Sequence, residues 1–78
     1  MPRFFFDVRD GEKFTRDDDG LEYPDIEGAR DAAAVALADM AKDVLPGPLT
    51  REMAVEVSDH AREPLLRAAL RFEIQRLR

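Results

Sequence analysis

The chain of 78 residues predicts an α+β fold of order ββαββ, a four-stranded antiparallel sheet (strand order 2-1-3-4) with one long helix packed on one face. Three observations lead there. Residues 25–45 repeat apolar side chains at helical spacing, residues 3–9 alternate as a half-buried strand does, and residues 52–58 alternate in step with residues 65–71 across a short polar turn.

The first strand, Arg3 to Arg9, is built of bulky β formers, with Phe4, Phe6 and Val8 pointing one way and Arg3, Phe5, Asp7 and Arg9 the other. Asp10-Gly11 marks a turn. A three-residue loop, Arg9-Asp10-Gly11, would set Phe6 opposite Phe14 and Asp7 beside Lys13, keeping both phenylalanines inside, so that register is expected. The second strand, Glu12 to Arg16, is short and polar. Asp17-Asp18-Asp19-Gly20 and a brief alternation at Leu21-Glu22-Tyr23 lead to the helix.

In the helix, Ile26, Ala29, Ala33, Leu37, Met40 and Val44 form one stripe at steps of three and four. Asp25 is suited to cap its N-terminus, Glu27 and Lys42 suit the two ends of its dipole, and Pro46-Gly47-Pro48 stops it. About 20 residues at 1.5 Å each make a rod of roughly 30 Å, whose alanines leave a flat face for a sheet. The helix is expected to cross over the first strand as a right-handed connection.

In the second hairpin, Met53, Val55 and Val57 share a face, and a loop at His60–Glu63 pairs Val57 with Leu66, Val55 with Ala68 and Met53 with Leu70. That match favours a strand to about Arg71 over the helix that 65–78 could also form; residues 72–78 read equally as strand, helix or disorder. The polar second strand and the last strand, with Pro64, Arg67 and Arg71, suit the sheet edges.

One domain is expected from 78 residues, with a thin core. The chain has no cysteine, hence no disulfide and no thiolate site. It has no apolar run able to span a bilayer and no leader-like segment, so a cytoplasmic location is the expectation. The net charge of −5 speaks against general affinity for nucleic acid or anionic membranes. The charge is uneven: residues 1–59 hold 15 acids against 7 Lys+Arg, and residues 60–78 hold Arg62, Arg67, Arg71, Arg76 and Arg78 against Glu63 and Glu73.

Met1-Pro2-Arg3-Phe4-Phe5-Phe6 with Asp10-Gly11, then Asp18, Gly20, Glu22, Pro24, Asp25, the alanine-rich helix, Val55-Glu56-Val57-Ser58-Asp59 and Leu65-Leu66 run in an order that resembles a family of short bacterial proteins of the rhizobial type, defined as a domain of unknown function. The resemblance implies a glycine near Arg62, where a left-handed arginine would be strained by roughly 1 kcal/mol. It also implies Pro-Phe near Ala69-Leu70, where this chain departs. It brings no activity and no catalytic residue.

No catalytic, cofactor or metal site is expected. Three adjacent aspartates cannot place oxygen ligands at alternate positions, and the sixth residue from Asp17 is Glu22 where a calcium loop needs glycine, so 17–20 reads as an Asx-type turn. His60, the one histidine, falls in a turn with no nucleophile to serve; Ser58 and Asp59, adjacent on a strand, point to opposite faces. Phosphate loops, HExxH and paired Cys/His spacings are absent. One helix leaves the opposite sheet face open. Phe5, Ala54, Arg67, Ala69 and Arg71 form the candidate interaction surface there. A non-catalytic binding or assembly module is expected, with another protein or a second copy as partner and no small-molecule substrate. Nucleic-acid binding by the C-terminal arginines is the alternative.

Overall fold

A computed structural model describes residues 1–78. Its elements are β1 (Arg3–Asp10), β2 (Lys13–Thr15), β3 (Leu21–Glu22), α1 (Ile26–Val44), β4 (Thr50–Ser58) and β5 (Pro64–Glu73). The α+β class and the antiparallel sheet are as expected, but the sheet has five strands instead of four. Its order is β2-β1-β4-β5, with β3 paired to β1 off that path. The expected order 2-1-3-4 is changed by the added strand β3, while the four expected segments keep their neighbours: second beside first, first beside third, third beside fourth. The brief alternation at Leu21-Glu22 forms a strand because the chain passes the start of β1, where Glu22 faces Arg3 and Leu21 faces Phe4.

The first hairpin also differs. Val8 pairs with Thr15, Arg9 with Phe14 and Asp10 with Lys13, so the loop is Gly11-Glu12 and Phe14 lies on the outer face. The cause is β4, against which β1 stays extended to Asp10, and even Gly11 donates its N–H to the Glu52 carbonyl (2.9 Å). The reversal is thereby pushed past Asp10, to where Gly11 supplies a positive φ of 63°. Phe14 loses the core and lies against the Arg9 guanidinium, 4.7 Å from its ring centroid.

Helix α1 begins as its sequence dictates: the Asp25 side chain accepts from the Gly28 N–H (3.1 Å). Ala29, Ala33 and Leu37 are buried against Phe4, Met53, Val55 and Val57, with Ile26, Met40 and Val44 at the margin. The helix lies over β4 and β5 and not over the first strand. The reason is side-chain size: the alanine stripe allows close approach to the valines of β4, while bulky Phe6 on β1 packs with Tyr23, their ring centroids 5.9 Å apart. No helix is long and apolar enough to cross a membrane.

In the second hairpin Val57 pairs with Leu66, Val55 with Ala68 and Met53 with Leu70, and β5 runs on to Glu73, two residues beyond the expected end. A register shift at Val57/Ser58 sets Ser58 opposite Pro64, which makes the loop one residue longer than expected, Asp59–Glu63. Residues after Glu73 leave regular structure, although the Ile74 N–H still reaches the Leu49 carbonyl (2.7 Å).

The molecule is elongated, 52 × 21 × 18 Å along its principal axes. Its radius of gyration is 14.0 Å, against about 11.5 Å for a compact chain of this length. Ten of 78 residues are buried, so one further buried surface would matter to its stability.

Candidate interaction surface

Strand alternation sends Phe5, Asp7 and Arg9 of β1, Glu52, Ala54, Glu56 and Ser58 of β4, and Arg67, Ala69 and Arg71 of β5 to the face opposite the helix. Arg9 lies beside Ala54, and Ala54 beside Ala69, in one row across three strands. The small side chains make a floor and the arginines make walls. Arg9, Glu52, Ala54, Arg67, Ala69 and Arg71 thus line a shallow groove of about 350 Å³. Ala54 is 2% exposed although it faces away from the core, because the long side chains of that groove cover it. Arg9 meets Glu56 at 2.8 Å and Arg71 meets Glu52 at 3.6 Å. These pairs are exposed and worth at most about 1 kcal/mol each. Arg67, directly across from Glu56 in register, forms no ion pair within 4.0 Å.

The structure therefore gathers Ala54, Arg67, Ala69 and Arg71 in one groove and sets Phe5 apart. Phe5 is half-buried, not bare, since the Arg62 guanidinium carbon sits 3.8 Å from its ring centroid. Arg62 also donates through Nη2 to the Asp17 carbonyl (2.8 Å) and holds Nη1 3.6 Å from Asp7 Oδ1. Its φ is +66°, the left-handed conformation that glycine adopts freely. The strain is offset by these contacts, which a glycine could not make. Arg62 so serves as a strap from the second hairpin to the acidic loop, and its charge is engaged.

That loop is structural. Asp17 Oδ2 accepts from the Phe6 N–H (3.0 Å), and Oδ1 accepts from the N–H groups of Asp19 (3.2 Å) and Gly20 (3.1 Å). Its own N–H donates to Asp7 Oδ1 (2.8 Å). The carboxylate fills the gap along β1 between β2 and β3, where no strand satisfies Phe6. Its partners are backbone donors, which is Asx-turn chemistry, and no group of three or more His, Asp or Glu side chains is placed to hold a metal. His60 is exposed in the Asp59–Glu63 turn, where Asp59 accepts from the N–H groups of Ala61 and Glu63.

Two carboxylates titrate below their ordinary range. Partial burial pushes Asp17 upward, but the N–H donors of Phe6, Gly20 and Asp19, joined by the Arg62 charge, outweigh it. For Asp10 the hydrogen bonds from Arg51 (2.6 and 2.7 Å) come first; burial opposes them, and the charges of Arg51 and Lys13 add. Both groups take up protons more readily unfolded, near pH 3.9, than folded. Their contribution is therefore complete above about pH 4 and disappears as the pH falls through the lowered values. The melting temperature should hold from pH 7 to 5 and drop below pH 4. In Asp17→Asn, which starts less stable, that acid-induced drop should be smaller; an equal drop would remove Asp17 from this account.

The margin of the sheet completes the surface. β5 pairs with β4 alone, so its other edge is free. Because the Ile74 N–H points to β4, alternation turns the N–H and C=O groups of Arg67, Ala69, Arg71 and Glu73 outward. Under this edge, between β5 and α1, Ala34, Leu37, Ala38, Ala68 and Leu70 line an apolar groove of about 390 Å³.

Sequence reasoning missed the Asp10–Arg51 pair and the Arg62 strap. The first was legible only in the correct register, which places Asp10 opposite Met53 and so diagonal to Arg51. The second joins residues 45 positions apart through a backbone carbonyl and leaves no pattern in the sequence.

No curated protein and no solved structure matches this chain. A family model does, over residues 3–71, which takes in all five strands, the helix and both grooves, up to the last two residues of β5. The chain therefore belongs to the family described as Domain of unknown function (DUF6894).

Proposed function

We propose that this protein is a non-catalytic binding and assembly module that works through the free edge of β5 and the arginine-walled groove beside it. The observation that carries this reading is an open ten-residue strand. It has unpaired backbone groups at Arg67, Ala69, Arg71 and Glu73, an apolar groove on one side and arginines on the other. Sheet edges of this length are ordinarily blunted or covered, and an added strand supplies both the missing hydrogen bonds and the side chains for such a groove.

Ala69→Pro tests it. The Ala69 N–H faces outward, so proline there removes no bond to β4 and is tolerated on an edge, while it denies that bond to an added strand. Partners captured by the tagged protein, tagless copies of itself included, should be lost with Ala69→Pro while the circular dichroism spectrum is unchanged. Identical capture by both proteins would reject edge docking.

Nucleic acid is the lesser reading. Arg62 is engaged with Asp7 and Asp17, and Arg71 with Glu52, which leaves Arg67, Arg76 and Arg78 without a carboxylate partner on a chain of net charge −5. A salt-sensitive gel shift lost in Arg67→Glu would support it.

A further inference from the structure

We infer that the partner at the β5 edge is a second copy of this chain, docked antiparallel about a two-fold axis at Leu70, with Arg67 of each copy opposite Glu73 of the other. The inference rests on the edge-docking reading above and names its occupant.

Only residues whose backbone groups face outward can exchange hydrogen bonds, so the permitted registers differ by two-residue shifts among Arg67, Ala69, Arg71 and Glu73. Side-chain charge chooses among them. Centring the axis on Ala69 sets Arg67 against Arg71 of the other copy, twice. Centring it on Arg71 sets the two Arg71 side chains against each other. Both oppose like charges directly, which is destabilising. Centring it on Ala68 brings no opposite charges together, and centring it on Phe72 pairs Arg71 with Glu73 but leaves only those two outward residues of the strand facing the other copy. Centring it on Leu70 sets Arg67 against Glu73 twice and Ala69 against Arg71 twice, so opposite charges meet and the largest side chain faces the smallest.

The free state of these groups agrees. Arg67 has no carboxylate within 4.0 Å, and the Glu73 carboxylate receives only the Gln75 amide (2.8 Å). Arg71 keeps its own Glu52. On the helix side the same register sets Leu70 against Leu70 at the axis and Phe72 against Ala68. Leu70, 37% exposed in the single chain, and Phe72 would then close the apolar groove of Ala34, Leu37, Ala38 and Ala68. Four residue pairs of this kind exchange about eight backbone hydrogen bonds and join two sheets into one. Acidic and basic elements thus meet along a single self-complementary strand.

Light scattering with sedimentation equilibrium on the full chain, from about 1 μM to about 1 mM, is the test, a range set by the affinities of modest interfaces. Wild type should form a dimer. Arg67→Glu and Glu73→Arg, each turning two attractive pairs into repulsive ones, should each weaken association roughly tenfold or more. The double variant Arg67→Glu/Glu73→Arg should regain wild-type association. Ala69→Pro should be monomeric. Thermal melts confirm that each variant is folded, and amide exchange of wild type should slow with concentration at Arg67, Ala69, Arg71 and Glu73. A wild type that stays monomeric at the highest concentration overturns the inference, as does a dimer indifferent to Ala69→Pro or a double variant that stays weak. A monomer that still captures a different protein, lost with Ala69→Pro, overturns self-pairing and leaves edge docking in force. A monomer that captures nothing through the edge overturns both.

Discussion

Gly20→Ala should lower the stability of the fold by about 2–5 kcal/mol, a large share of what a domain of this size holds. Two causes add. Gly20 has φ +71°, where an L side chain costs about 1–2 kcal/mol. A Cβ there would also lie 2.8 Å from the Phe4 carbonyl oxygen, 3.0 Å from Arg3 Cγ and 3.1 Å from a Phe5 ring carbon. The backbone contact is the decisive one, because Phe4 is pinned between β3 and the core and cannot retreat; relieving it costs about 1–3 kcal/mol more. Gly11→Ala is the internal control. Gly11 has φ +63° but open space around its Cβ position, so only the conformational cost of about 1 kcal/mol is expected. Urea midpoints of the two variants, at unchanged slope, separate the terms. Equal losses would mean that the loop moves aside and that the close approach to Phe4 is unimportant.

Asp17→Ala should cost about 2–3 kcal/mol by urea denaturation, since it strips the acceptor from three backbone N–H groups at once. The exposed Asp19 donor can turn to water. Phe6 lies half-buried in the sheet and Gly20 is buried, so their donors are the expensive ones to strand. Asp17→Asn, which keeps an oxygen, should lose less. Amide exchange at Phe6 gives a local readout: it should quicken sharply in Asp17→Ala, while exchange at Val55 changes only with global stability. A Phe6 amide as protected as before would place its acceptor elsewhere. The Gly20 and Asp17 substitutions act on one loop, so their combined effect should fall short of the sum.

Where the sequence was legible, local physics and tertiary packing agreed. The helix, its Asp25 cap and its Ala29–Ala33–Leu37 stripe follow from spacing alone, and the second hairpin follows because only one register matches apolar to apolar between Met53–Val57 and Leu66–Leu70. The first hairpin failed because its register is not decided inside the hairpin. Burying Phe14 seemed the stronger term, but the long ladder with β4 fixed β1 first and the turn had to follow. β3 was missed because two residues carry no period. The candidate surface was half legible. Alternation placed Ala54, Arg67, Ala69 and Arg71 together, but alternation says nothing about what folds over a face, and Arg62 reaches across from a loop to shield Phe5.

The two margins of this sheet are unlike. Along β1, three residues of β2, two of β3 and the Asp17 carboxylate between them occupy the side turned away from β4, and what lies beyond is a three-residue stub beginning with a lysine. Only the far side, along β5, offers a run long enough to receive another chain. Growth by strand addition therefore has one place to start and nowhere to continue. Architecture of this kind terminates at a finite complex and withholds the repeating template on which fibrils propagate.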